Sequence, residues 1–179
     1  MKSDSSSSWR QNGDEEAFDD GAWEFKARQF ESSARHCLRS FDAQINEPSF
    51  ETIMLLPTAE FLLSLALELL CKAYHLKATI GRPEDIYSHN VVDLVGSGFF
   101  TEPQERLMRH AERYVIWAGR YPTPKWTKEH FKEGYDVPSK FIGGVEHIDG
   151  SDIPNTASRP RCNELIELCQ YIRSRWAQA

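Results

Sequence analysis

The sequence predicts an all-α protein, an up-and-down bundle of about five helices with a long loop before the last one. Apolar residues recur at spacings of three and four over most of the chain, which is the period of one helix face. Proline, glycine and helix-capping residues divide this pattern into five segments. One segment, between Ala59 and Leu76, is apolar on nearly every side, which is typical of a helix enclosed by its neighbours.

The five predicted helices follow from the capping residues at their ends. Pro57 suits the first turn of the second helix, Ser88 and Asn163 suit the N-caps of the third and the last, and Thr101 opens a capping box at the fourth. In chain order the predicted helices cover about 22–45, 57–79, 88–95, 101–119 and 163–179.

Polar residues on the second helix share one narrow arc, which we call the polar seam. It consists of Glu60, Ser64, Glu68, Lys72 and His75. The first four are spaced by four, so each is rotated by only about 40° from the last. Glu68 precedes Lys72 in the order that favours an ion pair along a helix. We expect Glu68 and Lys72 to face a cleft or a dimer partner rather than open solvent, and to contribute to ligand binding.

Length, charge and cysteine usage indicate one intracellular domain. Residues 1–20, Ser-rich and then acidic, are predicted to be a disordered tail before a helical domain at 21–179. The net charge is −6, so overall charge does not indicate a nucleic-acid binder. The four cysteines lack a metal or disulfide pattern, and no signal peptide or uninterrupted membrane span is apparent. We therefore expect a cytoplasmic protein with no membrane contact, cofactor or metal.

The fourth predicted helix carries a basic stripe. Arg106, Arg109, His110 and Arg113 lie on one face, and the stripe continues toward Arg120. Guanidinium groups bind phosphate oxygens in pairs, so the stripe suits a phosphate-bearing ligand. The alternative is a solvated face whose charge is balanced by neighbouring glutamates.

The predicted loop at 121–160 interleaves basic and aromatic residues. It begins with Tyr121, Lys125 and Trp126. Such a pattern can stack unpaired bases while neutralising backbone charge, which favours RNA or nucleotide binding. The alternative is a surface loop whose aromatic side chains hold it to the core.

Three segments together resemble the HEPN domain superfamily. The stretch 66–73 (ALELLCKA) is similar to the E-L-L-x-K-A helix of that family, and 89–95 (HNVVDLV) resembles the start of its next helix. Tyr114 through Arg120-Tyr121-Pro122 looks like the helix of one HEPN branch that ends in R-Y-P. The resemblance covers about residues 22–125.

The resemblance implies a helical bundle, often a homodimer, from a defence or toxin–antitoxin system. Many HEPN domains are metal-independent endoribonucleases in which a histidine follows an arginine after four to six residues; others bind nucleotide, RNA or a protein partner. Arg82 and His89 fit the catalytic spacing, but such a match arises easily by chance, and Arg120 has no histidine at that distance. We therefore expect an RNA- or nucleotide-binding domain, with two alternatives: an endoribonuclease, or a module that partners a nucleotidyltransferase or a cognate antitoxin.

Overall fold

The computed structural model describes residues 18–46, 49–79, 84–117, 145–148, 151–154 and 158–179, and it confirms an all-α bundle. The helices are α1 (Asp20–Gln44), α2 (Phe50–Ala78), α3 (Val91–Val95), α4 (Glu102–Trp117) and α5 (Arg159–Gln178). A short 3-10 turn, Glu84–Tyr87, precedes α3. Two strands, β1 (Val145–Ile148) and β2 (Ser151–Pro154), pair antiparallel.

Helix α2 is the centre of the bundle, because α1, α3, α4 and α5 all pack against it. Its side chains Leu63, Leu67 and Leu70 are fully buried in the core. The prediction of one enclosed, nearly all-apolar helix is therefore confirmed. By length and composition α2 would also suit a membrane span, as core helices of globular proteins often do.

Two helices begin earlier than predicted, because Ser49 and Ser158, rather than the predicted start residues, act as their N-caps. Helix α2 starts at Phe50, where Ser49 Oγ accepts the N–H of Thr52 at 3.2 Å, and Pro57 lies inside the helix. Helix α5 starts at Arg159 rather than after Asn163, since Ser158 Oγ accepts the Arg161 N–H at 3.2 Å. A proline in the first turn of α5 costs no hydrogen bond there.

The short helix α3 also differs from its prediction, whereas the start of α4 agrees. Ser88 does not cap α3: its hydroxyl accepts the N–H of Asn90 in a local turn, and α3 begins at Val91. In α4 the Gln104 side chain reaches back to the Thr101 N–H at 2.9 Å, which is half of the predicted capping box.

Within the predicted loop at 121–160, residues 145–148 and 151–154 form the β1–β2 hairpin, and α5 begins at Arg159. The sequence between the strands, Asp149-Gly150, is a dipeptide that strongly favours tight hairpins. Residues 121–144, and the predicted tail up to residue 17, lie outside the described residues.

Helices α1 and α5 are joined by a row of charges. Glu24 and Glu31 on α1 are buried, and Arg173 of α5 donates to each of them at 2.8 Å. Arg28 and Arg35 complete the row from α1. Each buried carboxylate therefore accepts hydrogen bonds from two guanidinium groups, which offsets the cost of removing it from water.

The row predicts a pH-dependent contribution to stability. Burial opposes ionisation of Glu31, but the hydrogen bonds and charges of Arg173 and Arg35 outweigh it and hold the pKa of Glu31 below its ordinary 4.5. A lowered folded-state pKa stabilises the fold above the unfolded-state value, and this stabilisation is lost as the pH falls through the folded-state value. We expect Glu31→Gln to lower the free energy of unfolding by about 1–3 kcal/mol at pH 7.

Urea unfolding of the wild type and of Glu31→Gln between pH 7 and pH 3 checks this pH dependence. The difference between wild type and Glu31→Gln should begin to shrink near pH 4.5 and continue to shrink below it. Glu164→Gln, an exposed change on α5, is the control and should have little effect at any pH. A difference that is independent of pH would contradict the role of the ionised carboxylate.

Candidate functional site

The structure brings Glu68, Lys72 and His89 together. Glu68 Oε1 accepts hydrogen bonds from Lys72 Nζ at 2.7 Å and from His89 Nδ1 at 3.0 Å. Glu68 and Lys72 are buried, and the Lys72 ammonium lies 5.4 Å from the centre of the Trp23 ring. Both side chains therefore avoid open solvent, as expected, but the residues that cover them, His89 and Trp23, belong to the same chain.

This cluster is poorly suited to hold a phosphate. The Lys72 charge is already paired with Glu68 and covered by Trp23, so an anion cannot reach it without displacing them. His89 is the accessible member, with 39% of its side chain exposed. Arg82, its predicted catalytic partner, lies outside the described residues.

The basic stripe of α4 is divided in two. Arg106 pairs with Glu102 at 2.6 Å on the exposed surface, whereas Arg109 bonds Glu105 at 2.9 Å and lies 3.5 Å from Asp93 of α3. Burial lowers the pKa of Arg109, but the hydrogen bond to Glu105 and the negative charges of Glu112, Glu105 and Asp93 together outweigh burial and raise it.

Glu112, the third glutamate that could balance the stripe, is directed elsewhere. It accepts the N–H of Val92 at 2.9 Å and so binds the first turn of α3. Burial raises its pKa above the ordinary value. Arg113, one turn along, donates to the Arg109 carbonyl at 3.1 Å. Within the described part of the stripe, Arg106 is more exposed than Arg109, with 68% of its side chain accessible against 34%.

His110, the remaining stripe residue, points into the bundle and meets Glu60 of the polar seam. Its Nε2 lies 2.6 Å from Glu60 Oε1, and Arg161 of α5 approaches the same oxygen at 3.4 Å. Glu60 is fully buried, and its Oε2 is the one buried side-chain polar atom without a hydrogen-bond partner in the described part of the chain. We call these three residues the Glu60 cluster.

Neutral groups surround the Glu60 cluster on its inner side. Burial raises the pKa of Tyr114, and burial together with the negative charge of Glu60 raises the pKa of Cys162 to about 12. The Tyr114 ring lies 5.9 Å from the imidazole of His110. Phenol and thiol thus remain protonated at neutral pH, and the partly exposed members of the cluster are His110 and Arg161.

This geometry can support proton transfer beside an anion. A carboxylate that binds one imidazole nitrogen fixes the ring and leaves the other nitrogen as a base. A neighbouring guanidinium can stabilise negative charge that develops on a reacting group. The predicted residues Arg120, Tyr121, Lys125 and Trp126 lie outside the described residues. Arg161 was missed, because a single arginine near a helix start has no periodic signal.

No metal site accompanies these groups: among the residues whose placement is described, no three His, Cys, Asp or Glu side chains are grouped to hold an ion. Comparison with protein-family models found no match, and comparisons with curated proteins and with solved structures found none either. The resemblance to HEPN domains therefore depends on the three sequence segments.

Proposed function

We propose that this chain is an RNA- or nucleotide-binding helical domain, similar to HEPN domains of defence or toxin–antitoxin systems. The observation that supports it is that Arg161 and His110, from two different helices, both approach Glu60 Oε1. It adds a guanidinium from a second helix to the basic stripe of α4. We call the surface formed by Arg106, His110, Arg113 and Arg161 the arginine face.

The charge balance of the arginine face suits phosphates. Glu60, the carboxylate that meets both His110 and Arg161, is fully buried and is not presented to a ligand. Glu112 is directed to α3. The pair Arg106–Glu102 is largely exposed, and exposed pairs of this kind contribute little to stability, so a phosphate can compete for the guanidinium.

If phosphates bind the arginine face, RNA affinity should fall about tenfold or more between 50 and 200 mM salt. Replacing Arg106 and Arg113 with Gln should weaken binding and reduce the slope of log affinity against log salt by about one unit per lost contact. Fluorescence anisotropy with a labelled single-stranded RNA measures both quantities.

Arg28→Gln is the matched control, because Arg28 is an exposed arginine on α1 that also pairs with a glutamate. It should leave RNA affinity nearly unchanged. Binding that ignores salt, or no binding, would favour a protein-interaction module that partners an antitoxin or a nucleotidyltransferase.

The Glu60 cluster also favours a second function, metal-independent RNA cleavage, with residues other than Arg82 and His89. In this proposal His110 accepts the proton of a ribose 2′-hydroxyl, whose oxygen forms a bond to phosphorus while the bond from phosphorus to the 5′-oxygen breaks. The proton returns to the departing oxygen. Glu60 orients His110, and Arg161 stabilises the charge on the phosphate.

Incubation of the pure protein with total RNA in EDTA tests cleavage. If the Glu60 cluster is catalytic, His110→Ala should abolish the activity, and RNA with a single 2′-deoxy linkage should resist cleavage there. His89→Ala is the matched control and should keep the activity. Loss of activity in His89→Ala alone would instead assign catalysis to the originally predicted pair.

We further propose a homodimer, formed through α2. Met54, Phe61, Leu65 and Leu69 lie along one side of α2 and remain partly exposed despite the packing of four helices around it. Multi-angle light scattering at tens of micromolar should give nearly twice the 20.6 kDa of one chain. Leu65→Glu should shift the mass toward one chain, whereas a monomeric wild type would contradict the proposal.

A further inference from the structure

A groove of about 400 Å³ lies between α1 and the first half of α5. Its polar lining includes Arg35 and Arg39 from α1 with Arg159 and Asn163 from α5. On α5, Arg159 and Arg161 are two residues apart and therefore point about 200° apart around the helix. The groove is thus on the opposite side of α5 from the arginine face.

The three arginines of the groove differ in how much of their charge is already used. Arg159 donates from Nε to Asp42 Oδ1 and from Nη2 to Asp42 Oδ2, both at 3.0 Å, and its Nη1 donates to Asn163 Oδ1. Arg35 uses Nε and Nη2 on Glu31. Arg39 is exposed and has no ion-pair partner among the described residues. The groove therefore offers the complete guanidinium fork of Arg39 and the remaining nitrogen of Arg35.

The groove also has an apolar floor. Leu38 and Ile166, both buried, line it between the two helices. Gln170, one turn further along α5 than Ile166, contributes an amide that can donate or accept a hydrogen bond. A ligand there would meet cations on one side and an apolar surface below, which is the usual composition of a small-molecule site.

We propose that this groove binds the phosphate monoester of a small molecule, of about the size of a nucleotide. Its donors are the two guanidinium groups of α1 and the Gln170 amide of α5. A tetrahedral phosphate can accept from both helices, whereas a planar carboxylate suits a single fork. Glu167 in the lining, and Asp42 beside Arg159, would repel a long polyanion. A single terminal phosphate can avoid them and use the double charge that a monoester carries.

Isothermal titration calorimetry with AMP, adenosine and inorganic phosphate tests the proposal. AMP should bind, adenosine should not, and phosphate should compete with AMP. Arg39→Gln should weaken AMP binding about tenfold or more, because hydrogen bonds to a charged group are lost, and Arg39→Lys should lie in between. Arg28→Gln, an exposed arginine change elsewhere on α1, should leave the affinity unchanged.

The outcomes distinguish this groove from the arginine face. AMP binding that is lost in Arg106→Gln with Arg113→Gln, but kept in Arg39→Gln, would overturn the groove and assign the nucleotide to the arginine face. Adenosine that binds as well as AMP, or acetate that competes as well as phosphate, would overturn the choice of a phosphate monoester. No heat of binding between the wild type and AMP up to millimolar concentration would also reject it. Arg39→Gln should still fold, because Arg39 has no described pairing whose loss could unfold the chain.

Discussion

Among the described residues, four glutamates are buried in this bundle, and each accepts a hydrogen bond from a basic side chain in another part of the chain. An unpaired carboxylate is too costly to bury, so Glu24, Glu31, Glu60 and Glu68 limit how the helices can meet. Arg173 holds α5 to α1, while Arg161 and His110 hold α5 and α4 to α2. His89 fixes the segment before α3 to the same central helix. Apolar packing supplies the driving force of this fold, but these pairs select one arrangement.

The same constraint places chemistry at the surface. A buried carboxylate attracts basic side chains whose outer parts stay accessible, so Glu60 holds His110 and Arg161 where a ligand can reach them. Glu68 does the opposite for Lys72, which it keeps inside beneath Trp23. Two acids on one seam of α2 therefore have different consequences, because one meets helices near the surface and the other meets a lysine of its own helix.

Features that depend on residue spacing within one helix could be predicted from the sequence. Helical spacing predicted the enclosed helix α2, and Thr101 with Gln104 predicted the start of α4. Helix starts were misjudged where two candidate caps lie a few residues apart, as with Ser158 and Asn163, since propensity alone cannot rank them. The polar seam and the Glu68–Lys72 pair followed from spacing within one helix. The partners of Glu60, and the groove arginines, come from helices far apart in the chain, and no pattern within one segment reveals them.

The first turn of α5 carries two arginines that serve different surfaces. Arg161 approaches Glu60, and Arg159 grips Asp42 of α1. A small rotation or shift of this one turn changes both contacts together, because the residues share a backbone. If ligands occupy both surfaces as proposed, each would alter the affinity of the other, and thermodynamic linkage requires the two effects to be equal in free energy. One helical turn would then be the element that couples the two sites.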